Sequence, residues 1–350
     1  MNFLSFFFEV EAEEMNTQTF RPCGKVSLPG NPYVLDVKTV RASGACNSAD
    51  EDIVAIASDF SLYLVRMMGD GSLAPLSSVT ECHSDRIAPI SVDKASPFSF
   101  WTGSLDRSFK LWDSREQPCK ATVSCKTGNL PISCISSSCD GQIVATGTEM
   151  VGEDSHILFW DRRNLGSPVL DFTECHQDDL TTISFHPSNP TVCFSAAVDG
   201  LICVFDLKEM DEEESLKRVL NCGSSVSQFN IFGPNDSYLS CLTHVETMSL
   251  WNWNDGDCLK DHGDTRKLVP SSDYAIGTHF NADDQNLYLF TGNQDGEIQI
   301  NHVGLHEIRT LNVLSSGHSD IVRCLSVVNS EAPLIVSGSE DGTISLWWKQ

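Results

Sequence analysis

The chain has 350 residues with 23 Lys+Arg and 48 Asp+Glu, which gives a formal net charge of −25. Its 41% hydrophobic and 20% charged residues are typical of a globular protein whose core needs no disulfide or metal to fold. The lack of clustered Lys or Arg argues against binding to nucleic acid or an anionic membrane surface, and no run reaches the roughly 18 apolar residues of a membrane span. The acidic balance instead favours a partner with a basic surface.

The first 17 residues combine an apolar run, Phe3–Phe8, with four glutamates between Glu9 and Glu14. A secretory signal needs a basic start, a longer apolar centre and a small-residue cleavage site, and this segment has none of these. We predict that residues 1–17 are a disordered acidic extension and that residues 18–350 form the folded domain. Met15 offers a second start of translation.

A strand-like segment, Thr19–Leu28, comes next, and then one short pattern recurs seven times. A turn, usually centred on Asp, is followed six residues later by a large and usually aromatic residue, as in Asp106 with Trp112. The turn positions are 59, 106, 154, 199, 245, 295 and 341, so the steps are 47, 48, 45, 46, 50 and 46. A nearly constant period over seven copies indicates an internal repeat.

Each copy has the pattern of β structure. A short apolar run precedes the turn, and apolar and polar side chains alternate after it, which places one set on each face of a sheet. Asp-Gly pairs at 199–200, 295–296 and 341–342 are strong hairpin signals. No segment of ten or more residues has helical periodicity, so the sequence predicts an all-β fold.

The interval and the closing Trp-Asp pairs at 112–113 and 160–161 resemble the WD-repeat family. The Gly-His-like pairs at 82–83, 175–176 and 317–318 carry the same resemblance. It implies a seven-bladed β-propeller of four-stranded blades. The last copy ends soon after its third strand, at Gln350, and in this family an N-terminal strand completes the last blade. We therefore expect Thr19–Leu28 to close the ring and to remove free sheet edges.

His, Ser or Thr, and Asp recur together, which raises the alternative of nucleophilic catalysis. A catalytic set is expected once, in a cleft, whereas these sets repeat at blade spacing. In WD-repeat proteins such positions form a buried hydrogen-bond network, so a structural role is predicted for His83, Thr102, Asp106, Trp112, His176, Ser195, Asp199, His318, Ser337, Asp341 and Trp347. Phe205, Val245 and Asn301 replace network members in copies four to six, where we expect lower local stability.

Other catalytic and cofactor signals are absent from the sequence. It contains no nucleophile elbow, phosphate-binding glycine loop, H-E-x-x-H or dinucleotide fingerprint. Fourteen cysteines without an export signal indicate free thiols in a reducing compartment, hence the nucleus or cytoplasm. The densest group, Cys119, Cys125, Cys134 and Cys139, lacks paired C-x-x-C spacing. We predict a monomeric propeller without enzymatic activity, cofactor or metal, which binds other proteins.

Two W-D-x-R matches provide one candidate partner site, at Arg115 and Arg163. In the WD-repeat family this motif recurs in substrate receptors of cullin-based ubiquitin ligases, where the Arg touches the adaptor. A planar guanidinium suits that role because it binds carboxylates or carbonyls through two hydrogen bonds. The alternative is that each Arg only pairs with a neighbouring acid.

Acidic residues provide a second candidate site. Residues 171–215 contain eleven acids and one base, Lys208, and the densest acidic run is Asp211, Glu212, Glu213 and Glu214. Such a surface steers basic partners, so an escort role for a histone or ribosomal protein is one hypothesis and a solvated loop is the other. Farther along, Asn252–Asp273 is rich in Gly, Asp and Pro and is predicted to be a loop, with Trp253 more often a packing residue than a partner anchor.

Overall fold

The computed structural model describes residues 20–42, 51–116, 119–328 and 334–349. The predicted extension at residues 1–17 and the candidate start at Met15 lie outside the described residues. Across the described part of the chain, no helix is long and apolar enough to cross a membrane.

Seven four-stranded antiparallel sheets make up the structure, and each is one blade of a propeller. Strand β1 is Phe20–Ser27. Blade 1 comprises β2 (Val34–Arg41), β3 (Glu51–Ala57), β4 (Leu62–Met67) and β5 (Leu73–Val79), and blade 2 comprises β6 (Ser91–Val92), β7 (Ser99–Ser104), β8 (Ser108–Asp113) and β9 (Lys120–Lys126). Blade 3 comprises β10 (Ile132–Ser137), β11 (Ile143–Thr148), β12 (Ile157–Asp161) and β13 (Leu170–Phe172), and blade 4 comprises β14 (Leu180–Phe185), β15 (Val192–Ala197), β16 (Leu201–Asp206) and β17 (Leu216–Asn221).

The remaining blades follow the same order from the ring axis outward. Blade 5 comprises β18 (Val226–Phe232), β19 (Tyr238–Thr243), β20 (Thr247–Asn252) and β21 (Asp257–Asp264), and blade 6 comprises β22 (Tyr274–Asn281), β23 (Asn286–Gly292), β24 (Ile298–Val303) and β25 (Ile308–Leu314). Blade 7 comprises β26 (Val322–Val328), β27 (Leu334–Ser339), β28 (Thr343–Lys349) and β1. The predicted all-β, seven-bladed fold is therefore confirmed.

The two ends of the chain meet in blade 7. Strand β1 pairs with β28 in an antiparallel register that runs from Phe20 opposite Lys349 to Ser27 opposite Thr343. Beyond the ladder, the Leu28 amide donates to the Gly342 carbonyl at 2.8 Å. The predicted closure by the N-terminal strand is confirmed, and it supplies blade 7 with an outer strand.

The core lies between neighbouring blades. Alternating strand residues bury aromatic side chains on these interfaces, where Phe109 of blade 2 meets Trp160 of blade 3 at a centroid distance of 5.0 Å. Phe172 of blade 3 meets Phe205 of blade 4 at 5.3 Å. Large aromatic side chains contribute much of the apolar area that such interfaces remove from water. These interfaces therefore hold neighbouring blades together in a ring and position the loops that the structure describes.

Among the described residues, three short helical turns interrupt the strands: Glu212–Ser215, Pro234–Asp236 and Thr265–Leu268. The prediction that Asn252–Asp273 is a loop was wrong, because this segment contains strand β21 and the Thr265–Leu268 turn. Trp253 within it packs against Phe194 at 5.1 Å and donates its Nε1 hydrogen to the Asp236 carbonyl at 2.7 Å.

The ring has two faces, which we name by the strand ends they carry. The upper face holds the loops that lead into the inner strands, including His83, His176 and His318. The lower face holds the ends of the third strands of the blades, including Asp113 and Asp161.

Candidate functional site

The first His, Thr and Asp set forms one continuous hydrogen-bonded chain inside blade 2. Nδ1 of His83 lies 2.9 Å from Oδ2 of Asp106, and Nε2 lies 2.8 Å from Oγ1 of Thr102. Trp112 donates its Nε1 hydrogen to the same Oγ1 at 2.9 Å. The chain ties the loop before the inner strand to the second and third strands of the blade.

The same arrangement recurs in blades 4 and 7. In blade 4, His176 lies 3.0 Å from Asp199 and 2.7 Å from the Ser195 hydroxyl.

In blade 7, Nε2 of His318 lies 2.7 Å from Ser337 Oγ, to which Trp347 donates at 2.8 Å. There Nδ1 of His318 bonds Thr343 at 3.0 Å and lies 3.6 Å from Asp341, whose carboxylate accepts the Thr343 hydroxyl. The structure thus brings together all eleven residues of the predicted network, in three separate sets.

The hydroxyl in each set is not placed to act as a nucleophile. With Nδ1–H donating to the Asp in blades 2 and 4 and to the Thr343 hydroxyl in blade 7, Nε2 of each ring accepts from the hydroxyl of its set. In blades 2 and 7 the hydroxyl oxygen also accepts from the indole. Thr102, Ser195 and Ser337 are each fully buried, and so are the three histidine rings. A nucleophile needs access to substrate, so these sets can hold strands together but cannot reach a reacting carbonyl.

The pKa values of His83 and Asp106 in the first set have two opposed causes. Burial lowers the pKa of His83, which outweighs the nearby Asp106 charge, so the ring stays neutral. Burial alone would raise the pKa of Asp106, but hydrogen bonds from Ser108, the Ser84 amide and His83 together lower it. The ordinary state of the set is therefore a neutral imidazole beside a carboxylate.

In the repeat copies that depart from the pattern, the replacing residues make other contacts. Phe205 of blade 4 has no donor for Ser195, and its ring instead packs on Phe172. Asn301 of blade 6 is fully buried, yet its amide donates to Thr291 at 3.2 Å and accepts from Thr310 at 2.7 Å. Asn301 is therefore hydrogen-bonded through both its amide nitrogen and its oxygen, and the lower local stability expected of these copies stays a prediction. Val245 of blade 5 is 50% exposed on the upper face.

The two arginines of the W-D-x-R matches form identical forks on the lower face. Arg115 binds Asp113 through Nε at 2.9 Å and Nη2 at 2.5 Å, and Arg163 binds Asp161 at 3.0 and 2.6 Å. Hydrogen bonds from these arginines lower the pKa of Asp113 and bring that of Asp161 to about 2. The Arg163 side chain is 78% exposed and its acid 28%, so the fork presents a guanidinium to solvent.

Arg115 is more confined than Arg163. Its guanidinium carbon lies 4.9 Å from the centre of the Phe98 ring, and its side chain is 54% exposed. Stacking on an aromatic face stabilises a cation there. Arg163 is therefore the arginine of the pair with more surface available to a partner.

Sequence reasoning missed the role of Arg162, which lies beside Arg163. Its guanidinium crosses to blade 2 and binds the fully buried Asp93 carboxylate at 2.6 and 2.7 Å, while it lies 5.6 Å from the Trp101 ring. The only local signal was a second Arg after the W-D pair, and no local pattern identifies a partner 69 residues away.

The acidic run after β16 is only partly free to bind a partner. Asp211 caps the Glu212–Ser215 turn by accepting the Glu214 amide at 3.1 Å. Thr173 and Glu174 follow the short strand β13, and their backbone amides donate to the Glu212 carboxylate at 2.8 and 2.7 Å. Asp211 and Glu212 thus support local structure, and Glu213 and Glu214 are the acids of the run that project into solvent.

The wider acidic stretch, residues 171–215, does not form one surface. Asp199 precedes strand β16 and Asp206 ends it, so these two acids lie at opposite ends of a six-residue strand. A strand of this length spans roughly 20 Å. Asp199 belongs to the upper face and the Asp211–Glu214 run follows the lower end of the strand.

Comparisons with known proteins agree with this architecture. The WD domain, G-beta repeat model matches residues 117–161, 166–206 and 307–347. The chain is 30% identical over 288 residues to WD repeat-containing protein GTS1 of Arabidopsis thaliana, covering 76% of this chain and 72% of that protein. It is 29% identical to the WD repeat-containing protein 89 homolog of Dictyostelium discoideum, covering 70% and 66%, and 28% identical to nucleoporin Nup43 of Mus musculus, covering 48% and 42%. The chain belongs to the WD-repeat family.

Proposed function

We propose that this protein is a non-catalytic scaffold whose loops bind other proteins in the nucleus, the cytoplasm or both. The observation that carries the proposal is the burial of the hydroxyl and His members of all three sets, which leaves charged loops as the chemically distinctive surface. Loops on a rigid scaffold are where binding residues concentrate. The similarity to a nucleoporin supports a nuclear location, which a fluorescent fusion expressed in cells tests directly.

Affinity purification from cells, read by mass spectrometry, tests the scaffold role. The bait is compared with Arg115→Ala/Arg163→Ala on the lower face and with Arg86→Ala, a paired surface arginine on the upper face, as the matched control. We expect the wild-type bait to recover a discrete set of partner proteins. One of the two variants should lose these partners while the thermal melting of that variant matches that of the wild type. Recovery of no protein above a tag-only control would contradict the proposal.

Catalysis is tested separately on purified protein. A hydrolase screen is run on the wild type, Ser337→Ala and Ser195→Ala. Because the sets are equivalent, we expect no turnover in any of them. Turnover that Ser337→Ala abolishes and Ser195→Ala retains would identify an active site and overturn the scaffold proposal.

A narrower candidate is a substrate receptor of a cullin-based ubiquitin ligase. The exposed forks of Arg115 and Arg163 favour it, because a guanidinium already oriented by its own acid can offer its remaining donors to an adaptor. In the same purifications, the adaptor should disappear with Arg115→Ala/Arg163→Ala and persist with Arg86→Ala. Its absence from the wild-type bait would exclude this candidate.

The acidic escort role is the other narrower candidate. Glu213 and Glu214, which project beside the lower face, are the acids that a basic client such as a histone or ribosomal protein would meet. Such binding should weaken steeply between low and high salt, and also in Glu213→Ser/Glu214→Ser. Salt-insensitive binding of a basic client would exclude it.

A further inference from the structure

A cavity of about 640 Å³ lies at the ring axis. Residues on or beside all seven inner strands line it, so it is the central channel of the propeller. Its volume falls within the range of small-ligand sites, roughly 300 to 1,000 Å³. The channel takes no part in the scaffold role proposed above.

The charge of the channel is opposite in sign to that of the chain. Among the described lining residues, the charged side chains are Lys38, Lys94 and Arg323 against one acid, Asp36, and Arg323 is ion-paired with Glu340 outside the lining. Both oxygens of Asp36 already accept backbone amides, from Val37 at 2.9 Å and Ile90 at 2.7 Å. At physiological ionic strength charges beyond roughly 8 Å are largely screened, so a ligand inside the channel meets mainly these local cations.

The three cations share one wall. Lys38 lies on β2, the inner strand of blade 1. Strand β2 packs against β26 of blade 7, which carries Arg323, and against β6 of blade 2, which Lys94 follows. Nζ of Lys38 reaches to 3.4 Å from Oδ1 of Asp36. Arg323 is near the start of its strand and is paired with Glu340, whereas Lys38 is past the middle of β2 and Lys94 follows the end of β6. Lys38 and Lys94 are therefore the cations that one small ligand can reach together.

The facing wall, from blades 4 and 5, offers neutral hydrogen-bonding groups. Thr182 and Ser184 donate their hydroxyls to the carbonyls of Ser227 and Phe185, at 3.3 and 3.4 Å. Asn230 donates its amide to the Thr278 carbonyl at 3.0 Å. Their donors are engaged, so their oxygens remain as acceptors, which suit the hydroxyl hydrogens of a ligand.

We propose that the central channel binds a small phosphorylated polyol. Its phosphates lie on Lys38 and Lys94 of the cationic wall, and its free hydroxyls donate to the wall of Thr182, Ser184 and Asn230. An anion without hydroxyls can bind only to the cationic wall, and an uncharged polyol can hydrogen-bond only to the neutral wall.

Isothermal titration calorimetry with inositol trisphosphate as the probe tests this site, with pyrophosphate and myo-inositol as the two partial ligands. We expect inositol trisphosphate to bind more tightly than either. Lys38→Met and Lys94→Met should each weaken its binding about tenfold, a change of about 1.4 kcal/mol. The matched control is Lys208→Met, which removes another Lys paired two residues from an Asp, but on the outside of the ring.

Three results would overturn the channel site: no binding of inositol trisphosphate at millimolar concentration, binding no tighter than that of pyrophosphate, or an equal loss in Lys208→Met. Thermal melting without ligand reports whether each variant folds. Lys94 is exposed, so its variant carries the test if Lys38→Met is destabilised.

Discussion

Arg162 and Asp93 join two blades through a pair of hydrogen bonds of 2.6 and 2.7 Å, although 69 residues separate them in the chain. The Asp93 carboxylate is fully buried and the Arg162 side chain is 25% exposed. A carboxylate in that position is stable only while the guanidinium stays in place, because an uncompensated buried charge is costly.

Replacing Arg162 by Ala should lower the free energy of unfolding by about 3 kcal/mol, because Asp93 loses its partner. Urea denaturation followed by tryptophan fluorescence measures the change. Arg163→Ala removes the adjacent, exposed arginine and should change stability by less than about 0.5 kcal/mol. Equal losses in the two variants would show that the Arg162–Asp93 pair does not hold the blades together.

Removing the network hydroxyl should cost more in blade 7 than in blade 4. Ser337→Ala leaves both His318 Nε2 and Trp347 Nε1 without a partner, whereas Ser195→Ala leaves only His176 Nε2, because Phe205 has no N–H. Each orphaned buried group costs about 1–3 kcal/mol. Ser337→Ala should therefore lose at least about 1 kcal/mol more than Ser195→Ala in urea unfolding, and an equal loss would contradict the assigned hydrogen bonds.

Stability should fall as the pH drops from about 6.5 to about 4. Burial lowers the pKa of His262 to about 4, with Lys260 adding to the shift and Asp261 opposing it. The unfolded chain titrates near 6.5 and so binds more protons in this window, which favours unfolding as the pH decreases. Burial also lowers the pKa of His83, which acts in the same direction.

The measurement is the urea midpoint at several pH values. His262→Leu should reduce the dependence on pH between 6.5 and 4, and the same change at the exposed His244 is the control for replacing a histidine by leucine. An unchanged dependence in His262→Leu would rule out this histidine as a source.

Gly317 should not tolerate a side chain. A Cβ at this position would overlap Cζ2 of the fully buried Trp347 ring. Gly317→Ala should therefore cost about 2 kcal/mol of stability through overpacking. Gly69→Ala is the control, because a Cβ there has open space around it and should change stability by less than about 0.5 kcal/mol. A neutral Gly317→Ala in thermal melting would contradict the packing described.

The sequence was most informative where the signal is local. Turns such as Asp199-Gly200 and the alternation after them define a hairpin within ten residues, so the number of blades followed from the period. Strand β21, Asp257–Asp264, was not predicted because an outer strand has little burial on either face, so its sequence lacks the alternation of apolar and polar residues. The cationic wall of the channel was not predicted either, since Lys38 and Lys94 line a common channel only in the closed ring.

The pairing of β1 with β28 has a consequence for synthesis on the ribosome. Cys23 and Leu346, which contact each other across this pair, are 323 positions apart. At about 5–20 residues per second, the first strand waits roughly 15 to 65 s for its partner to be translated. Throughout that delay β1 has no hydrogen-bonding partner strand, so the nascent chain exposes an unpaired edge to molecular chaperones until β28 has been translated.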